Sequence, residues 1–310
     1  MNMTYQTGIY TSDGQAYDAL RKDLIAELVW LKTLDYIDFM DAVVMENTDV
    51  LDKHLRFPKD HTLPTFQINE GASSEYQKMG WFERSFSLNK FRSKLMIDDE
   101  SRIRLDEATQ WQYSMTGVAR GMAQARDNEI LGELWNGAGT SSAASTPWNS
   151  DAADPIGDIA NLIEDIFSKE ESNVTEDELR NVVVYYPLKL FGRVRIPEML
   201  MKGDTDGNMG RMIVDSSAVG WVSSELGFSF RGSRKLNNLN TAIAVIKGPQ
   251  TAVHYSYTGG KIPTVETVRD ADEGADAWMI TQYYKTQIMP QNYNQQTTND
   301  RIIKITNVST

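Results

Sequence analysis

The chain has 310 residues and a mass of 35.0 kDa, with 41% hydrophobic and 24% charged residues, no cysteine and three histidines. That length supplies one large or two modest domains with a real core, and the absence of Cys excludes disulfide scaffolds, thiolate zinc sites, iron–sulfur clusters and Cys nucleophiles. Thirty-one basic against 43 acidic residues give a net charge of −12 and a pI of about 4.8, which argues against a broad phosphate-binding surface while leaving room for a local basic patch. His54, His61 and His254 lie too far apart for an HExxH pair. A mean hydropathy of −0.44 and the lack of a long uncharged apolar run exclude a membrane-spanning helix. The first ten residues show neither a basic region nor an apolar one, so no secretory signal is expected.

Residues 15–40 carry Leu20, Leu24, Leu28, Leu31 and Leu34 at three- and four-residue steps, the apolar stripe of an amphipathic helix. Pattern alone leaves open whether that stripe packs on its own domain or on a neighbouring subunit. Residues 56–98 change period. Phe66, Ile68, Phe82, Phe86, Leu88, Leu95 and Ile97 fall largely at even spacings among Gln67, Asn69, Arg84, Ser85, Ser87 and Lys94, the mark of strands with one covered face. Glu70-Gly71-Ala72-Ser73-Ser74 marks a turn, so the pattern predicts a two-stranded ribbon. At about 3.3 Å per residue its arms reach on the order of 50 Å. An isolated hairpin cannot cover its own aromatic rings, so either a sheet of the same domain or another subunit must.

Residues 106–135 form the longest predicted helix, with Met115, Val118, Met122, Leu131 and Leu134 at helical spacing and Asn136-Gly137 as its stop. Gly117, Gly121 and Ala125 leave one ridge bare, which predicts close approach of another element to the helix backbone; Arg120, Gln124, Arg126, Asp127 and Glu129 forbid a membrane setting for that ridge. Residues 138–154, small and polar, predict a loop or hinge. A second amphipathic helix follows at 155–169, with Pro155 at a permitted first-turn position, then a short buried strand at 182–186. From 188 to 250 the predicted pieces are short: a helix at 216–226, strands at 228–231 and 241–246, and a loop at 237–240. Residues 252–310 are predicted mainly β, with strands at 277–288 and 301–308 around a polar loop at 291–299. No internal repeat occurs at a fixed period.

No motif assembles a reaction. The clustered acids at 98–100, 164–165, 170–171, 176–178 and 270–276 mark solvated faces rather than a two-carboxylate cleft. Asp204-Thr205-Asp206-Gly207-Asn208 resembles the start of a calcium loop, but Met209 and Asp215 stand where Gly and Glu are required; a turn is expected. Neither a GxSxG elbow nor a phosphate-cradling Gly-rich loop is present, and the histidines are expected at the surface or in packing. Arg84, Lys90, Arg92 and Lys94 interleave with Phe82, Phe86 and Phe91. That suits a nucleic-acid stacking strip or a ribbon pairing its charges with a neighbour's acids, and the acidic total favours the second. No catalytic, cofactor-binding or metal-ligating residue is nominated. Phe66, Trp81, Phe82, Arg84, Phe86 and Arg92 are the expected inter-subunit contacts.

The order of arm, ribbon, long helix, small-residue turn, α/β segment, Gly-containing small domain and terminal strands resembles the major capsid proteins of tailed double-stranded-DNA viruses, an α+β fold of the HK-ninety-seven type. GMAQARDNEILGELWNGAG (121–139) is similar to the end of that family's spine helix. PIGDIANLIEDIF with NVVVYYP (155–167, 181–187) is similar to the start of its peripheral domain, GFSFRGSRKL with TAIAVIKGPQTAVHY (227–236, 241–255) to its axial-domain strands, and VETVRDADEGADAWMITQYY (265–284) to its closing sheet. The resemblance implies an N-terminal arm at 1–55 and an extended two-stranded loop at 56–98 lying over an adjacent subunit. It further implies a peripheral domain at 99–187 containing the spine helix 106–135, an axial domain at 188–250 near the capsomer centre, and C-terminal strands at 251–310 returning to the peripheral domain.

On the same ground the chain is expected to be a structural protein rather than an enzyme. It would self-assemble through pentamers and hexamers into an icosahedral shell around double-stranded DNA, with no cofactor, no membrane and no sequence-specific DNA contact. Its place would be the virion, and the host cytoplasm during assembly; scaffolding, portal and decoration proteins are the family's other partners. Burying one Phe or Trp contributes about 1.5–3 kcal/mol, so Phe66, Trp81, Phe82 and Phe86 together are expected to drive lattice formation. Net negative charge suits a wall that should not adsorb packed DNA. The arm starts almost at Met1, so a scaffolding segment is expected to be separate or already removed. Lys78, Lys90 and Lys94 could supply the loop lysine of an isopeptide cross-link that some members make, but no Asn and Glu partners are identifiable and none is predicted. The alternatives are an encapsulin-type nanocompartment shell, which shares the fold and encloses a cargo enzyme, and, more remotely, a soluble acidic enzyme.

Overall fold

The computed structural model describes residues 26–27, 29–33, 36–59, 79–98, 107–150, 153, 155–169, 174–191, 228–257, 264–270, 275–291 and 293–309. In chain order its strands are β1 (Val44–Thr48), β2 (Asp52–Pro58), β3 (Trp81–Ser87), β4 (Asn89–Asp98), β5 (Ala138–Ala143), β6 (Val182–Pro187), β7 (Phe228–Ser233), β8 (Ala242–Ile246), β9 (Ala252–Tyr257), β10 (Thr264–Asp270), β11 (Ala275–Ile288) and β12 (Asn299–Thr306), and its long helices are α1 (Glu107–Asn136) and α2 (Pro155–Ser168). One sheet runs β1-β9-β11-β10, with β4 also paired to β11. A second runs β5-β12-β8-β6-β7, and β2 pairs with β3 alone.

Alternation explains how these elements stack. On one face of the second sheet Val182, Val184, Tyr186, Ala244, Ile246, Ile303 and Ile305 meet Ile159, Leu162, Ile163 and Ile166 of α2. On its other face Val183, Tyr185, Ile243, Val245 and Ile302 meet Ile130, Leu131 and Leu134 of α1, together with Phe39, Ala42 and Val43. Strands β6 and β8 are therefore apolar on both faces, as strands covered on two sides must be. The N-terminal half of α1 turns to the first sheet instead: Met115, Val118, Ala119 and Met122 pack with Leu95, Trp278 and Ile280. The far face of that sheet, with Val253 and Tyr255, is covered by Phe86, Leu88 and Met289.

Several expectations change in three dimensions. In the N-terminal segment residues 26–27 and 29–33 are helical, but Ala26, Val29 and Thr33 are the buried face, Leu31 is 53% exposed, and the chain passes into a turn at 36 and then a 3-10 segment, Met40–Ala42. The remaining stripe leucines lie outside the described residues. The ribbon is β2 with β3 and begins at Asp52, while β4 leaves it to run beside β11 from Asn89 to Asp98. Residues 138–143 are a strand, not a loop: β5 lies parallel to β12. Its small residues are required there, because a Cβ on Gly139 would sit 2.6 Å from the backbone carbon of Asn299. Among the described residues nothing approaches the bare ridge of α1 at Gly117 and Gly121, where added Cβ atoms would meet no atom within 4 Å. A domain division at 187/188 falls inside one hydrogen-bonded sheet, where β6 is flanked by β7 and β8; backbone pairing groups β5, β6 and β12 with the strands expected for the axial domain. The calcium-like run at 204–208, the helix at 216–226 and the turn at 70–74 lie outside the described residues.

Helix α1 spans 107–136 as expected and stops where Gly137 donates its N–H to the Glu133 carbonyl at 2.8 Å. The helix α2 and strands β6, β7, β8, β11 and β12 lie where hydrophobic periodicity puts them, within a few residues.

Candidate inter-subunit surface

In the ribbon Asp52 pairs with Ser87, Arg56 with Glu83, Phe57 with Phe82 and Pro58 with Trp81. The even residues of β3 face inward. Phe82 lies 5.5 Å from the ring of Phe57 and 5.6 Å, edge-on, from Tyr293; Phe86 lies 5.2 Å from Tyr255. Between them Arg84 donates to the carbonyls of Ile288 at 3.2 Å and Gln296 at 2.6 Å. Burial lowers the pKa of that guanidinium, an effect partly offset by the charge of Glu133. The base of the ribbon is therefore held to the body by this chain's own residues, so Phe82, Arg84 and Phe86, expected as contacts to another subunit, are occupied within the subunit. The physical reason is the 289–298 segment, whose Met289 and Tyr293 supply the cover that a free hairpin lacks.

The odd residues of β3 face outward. Trp81 is 58% exposed, beside an exposed ion pair between Arg56 and Glu83 at 2.6 Å; the three line a shallow depression. An exposed ion pair of this kind adds little to subunit stability, and an exposed Trp adds less than it would if covered. Arg92 lies on the outer face of β4, in a row with Lys90, Lys94 and Met96, all exposed. Its Nε donates to Thr281 Oγ1 at 3.2 Å and its Nη2 stands 3.9 Å from Glu266, while Lys90 lies over the Tyr283 ring at 5.6 Å. This is a local basic strip on a chain of charge −12. The bare ridge of α1 adds a third open region, with Tyr113 76% exposed and Arg120 over the Tyr36 ring at 5.0 Å. Of the six expected contact residues, Trp81 and Arg92 remain open to solvent, Phe82, Arg84 and Phe86 are engaged at home, and Phe66 lies outside the described residues.

Buried carboxylates elsewhere each hold a structural position. Asp127 accepts the backbone N–H groups of Asp38 and Phe39 at 3.1 Å. Asp158 accepts Trp148 Nε1 at 2.8 Å and the Ser145 N–H at 3.0 Å, and Asp300 meets Lys169 at 3.1 Å. Among the described residues no group of three or more His, Asp and Glu could hold a metal ion, and no described helix is long and apolar enough to cross a membrane. His254, expected at the surface or in packing, is fully buried in a polar band between α1 and the first sheet, with Arg126, Gln282, Tyr284 and Thr286. The sequence does carry a signal for this band: Arg126 sits four residues after Met122 and four before Ile130, on the buried stripe.

No family model and no curated protein matches the sequence. Solved structures do. The chain is similar to the virus-like particle from Pyrococcus furiosus, with a TM-score of 0.56 at 8% identity over 92% of this chain and 99% of that one. It is similar to the mature capsid of bacteriophage PhiM1, with a TM-score of 0.57 at 10% identity over 88% of each chain. The capsid of cyanophage P-SCSP1u gives 0.57 at 11% identity over 86% of each. These likenesses cover 86–92% of this chain, and so the chain has the HK-ninety-seven type fold of tailed-phage major capsid proteins.

Proposed function

We propose that this chain is a shell subunit that self-assembles through pentamers and hexamers into an icosahedral container for double-stranded viral DNA, and so is a structural component of a virion. The observation that carries the reading is the whole-chain likeness to capsids, extending over 86–88% of both partners. A shell subunit needs surface that is incomplete alone, and the exposed Trp81, the basic strip around Arg92 and the bare ridge of α1 meet that need. In this reading the chain before β1 is the N-terminal arm, the ribbon of β2 and β3 belongs to the extended loop, and α1 with the first sheet is the peripheral domain. The second sheet with α2 is then the axial domain. Trp81 contacts a neighbouring subunit, and Arg92 pairs with a neighbour's carboxylate.

Electron microscopy of the purified protein tests this, with a nuclease-protection assay for enclosed DNA. Closed shells holding protected DNA are the expected result; a protein that stays a monomer or small oligomer at every concentration refutes it. The likeness to a virus-like particle over 99% of that chain favours, as a second reading, a nanocompartment shell. Shells that exclude nucleic acid and carry a co-purifying enzyme would select it.

A further inference from the structure

The polar band between α1 and the first sheet contains a cation that makes no close ion pair with a described residue, although the Glu129 and Asp127 charges act on it. Arg126 is fully buried, its guanidinium clamped between the ring of Trp30 at 4.6 Å and that of Tyr284 at 4.5 Å. Its Nη2 makes two long contacts, to Gln282 Oε1 at 3.4 Å and Ser256 Oγ at 3.5 Å, whereas Nε and Nη1 have no partner. Its acidic neighbours on the helix are committed elsewhere. Asp127 holds the N–H groups of Asp38 and Phe39 and faces Lys235, and Glu129 accepts the Thr286 N–H at 2.6 Å and its hydroxyl at 2.5 Å. Burial lowers the Arg126 pKa to about 10, so the group is still a cation at neutral pH. A buried guanidinium without an ion pair is expensive.

Two further donors beside it are also unsatisfied. Gln282 Nε2 and the Tyr284 hydroxyl are buried without a hydrogen-bond acceptor, and both side chains lie on the face of β11 that meets α1, with Ser256 opposite Tyr284 on β9. His254 does not add to this set. The Thr286 hydroxyl is already given to Glu129, so His254 Nδ1 donates to Thr286 Oγ1 at 2.9 Å, leaving Nε2 as an acceptor. The imbalance is one of donors over acceptors, around a single positive charge, between aromatic walls.

We propose that Arg126 Nε and Nη1, Gln282 Nε2 and the Tyr284 hydroxyl hold a small monovalent inorganic anion of chloride type between the long helix and the first sheet. The charge argues for monovalence: one guanidinium supplies the attraction, and the nearby Glu129 carboxylate opposes a second negative charge. The aromatic walls of Trp30 and Tyr284 exclude a bulky, heavily hydrated ion. The bound anion would tie α1 to the sheet as a structural cofactor, stabilising the folded subunit by mass action, whether or not the subunit assembles.

The test uses the full chain. Melting is followed in sodium chloride and in sodium gluconate at the same ionic strength. The expected result is a rise of several degrees that saturates with chloride and is abolished in Arg126→Met. Tyr284→Phe, which removes one hydroxyl and keeps the ring, should raise the half-saturating chloride concentration at least threefold, and it serves if Arg126→Met does not fold. Crystals grown in bromide should show an anomalous peak beside Arg126 Nη1. Equal melting temperatures in the two salts, a chloride response that survives Arg126→Met or is unmoved in Tyr284→Phe, or no bromide peak at that position would each overturn the proposal.

Discussion

Replacing Trp81 by alanine separates the stability of the subunit from the stability of the shell. The side chain is 58% exposed, so of the roughly 250 Å² that a Trp can bury about 145 Å² is still open, worth ~3.6 kcal/mol at about 25 cal/mol per Å². Area overstates affinity, because ordering and imperfect pairing take a share. A third of that figure, about 1.2 kcal/mol, is still close to a tenfold change in a concentration threshold. Trp81→Ala is therefore expected to raise the concentration at which light scattering reports assembly by tenfold to several hundredfold. The unassembled subunit should meanwhile melt within about 0.5 kcal/mol of the original, as exposed substitutions do. Phe86→Ala supplies the contrast. Its ring packs on Tyr255 in the core under the ribbon, and its loss should cost about 3–5 kcal/mol of subunit stability. The reasoning is refuted if Trp81→Ala assembles at the original threshold, or if it destabilises the isolated subunit as much as Phe86→Ala does.

Other consequences follow from single positions. Gly117→Ala, at an exposed helix site whose new methyl group touches nothing, should stabilise the isolated subunit by about 0.8–1 kcal/mol in urea denaturation; if the α1 ridge packs against another copy, assembly should weaken at the same time. Gly139→Ala should cost several degrees of melting temperature, because its Cβ would lie 2.6 Å from Asn299 and 2.7 Å from Asp300 backbone atoms. Asp158→Ala leaves the Trp148 indole and the Ser145 N–H without an acceptor, and equilibrium unfolding should show a loss of about 2–4 kcal/mol. Acid should destabilise through His254, whose pKa is held well below 6.5 by burial and then by the Arg126 charge. The unfolded chain takes up that proton first, so stability falls as pH drops below 6.5, by at most about 1.4 kcal/mol per unit. Glu129, raised by burial, works in the opposite sense as pH approaches 4.5. Denaturation midpoints measured across pH should therefore lose much of their slope between 6.5 and 5.5 in His254→Gln; an unchanged slope would show that His254 is not its source.

Periodicity along the chain was enough to locate the long helices and the most apolar strands. A helix that buries Met115, Val118, Met122 and Leu134, and strands such as Val182–Pro187, write their burial directly into local spacing, because side chains recur on one face every 3.6 or 2 residues. The small residues of 138–143 resisted that logic: nothing local says that Gly139 is small to let Asn299 approach, so the segment reads as a loop and folds as a strand. The ribbon shows the same division. Its alternation identifies which side chains require cover, but whether Phe82 and Phe86 find it in Tyr293 and Tyr255 of their own chain, more than 160 residues away, depends on a contact that no local pattern encodes. Composition and spacing determined the type and order of the strongly periodic elements, since these are short-range properties of the chain. Which faces are already covered, which strands share a sheet, and that Arg126 Nε and Nη1 lie buried without a hydrogen-bond partner were decided only by tertiary packing, where residues distant in sequence compete for the same surface.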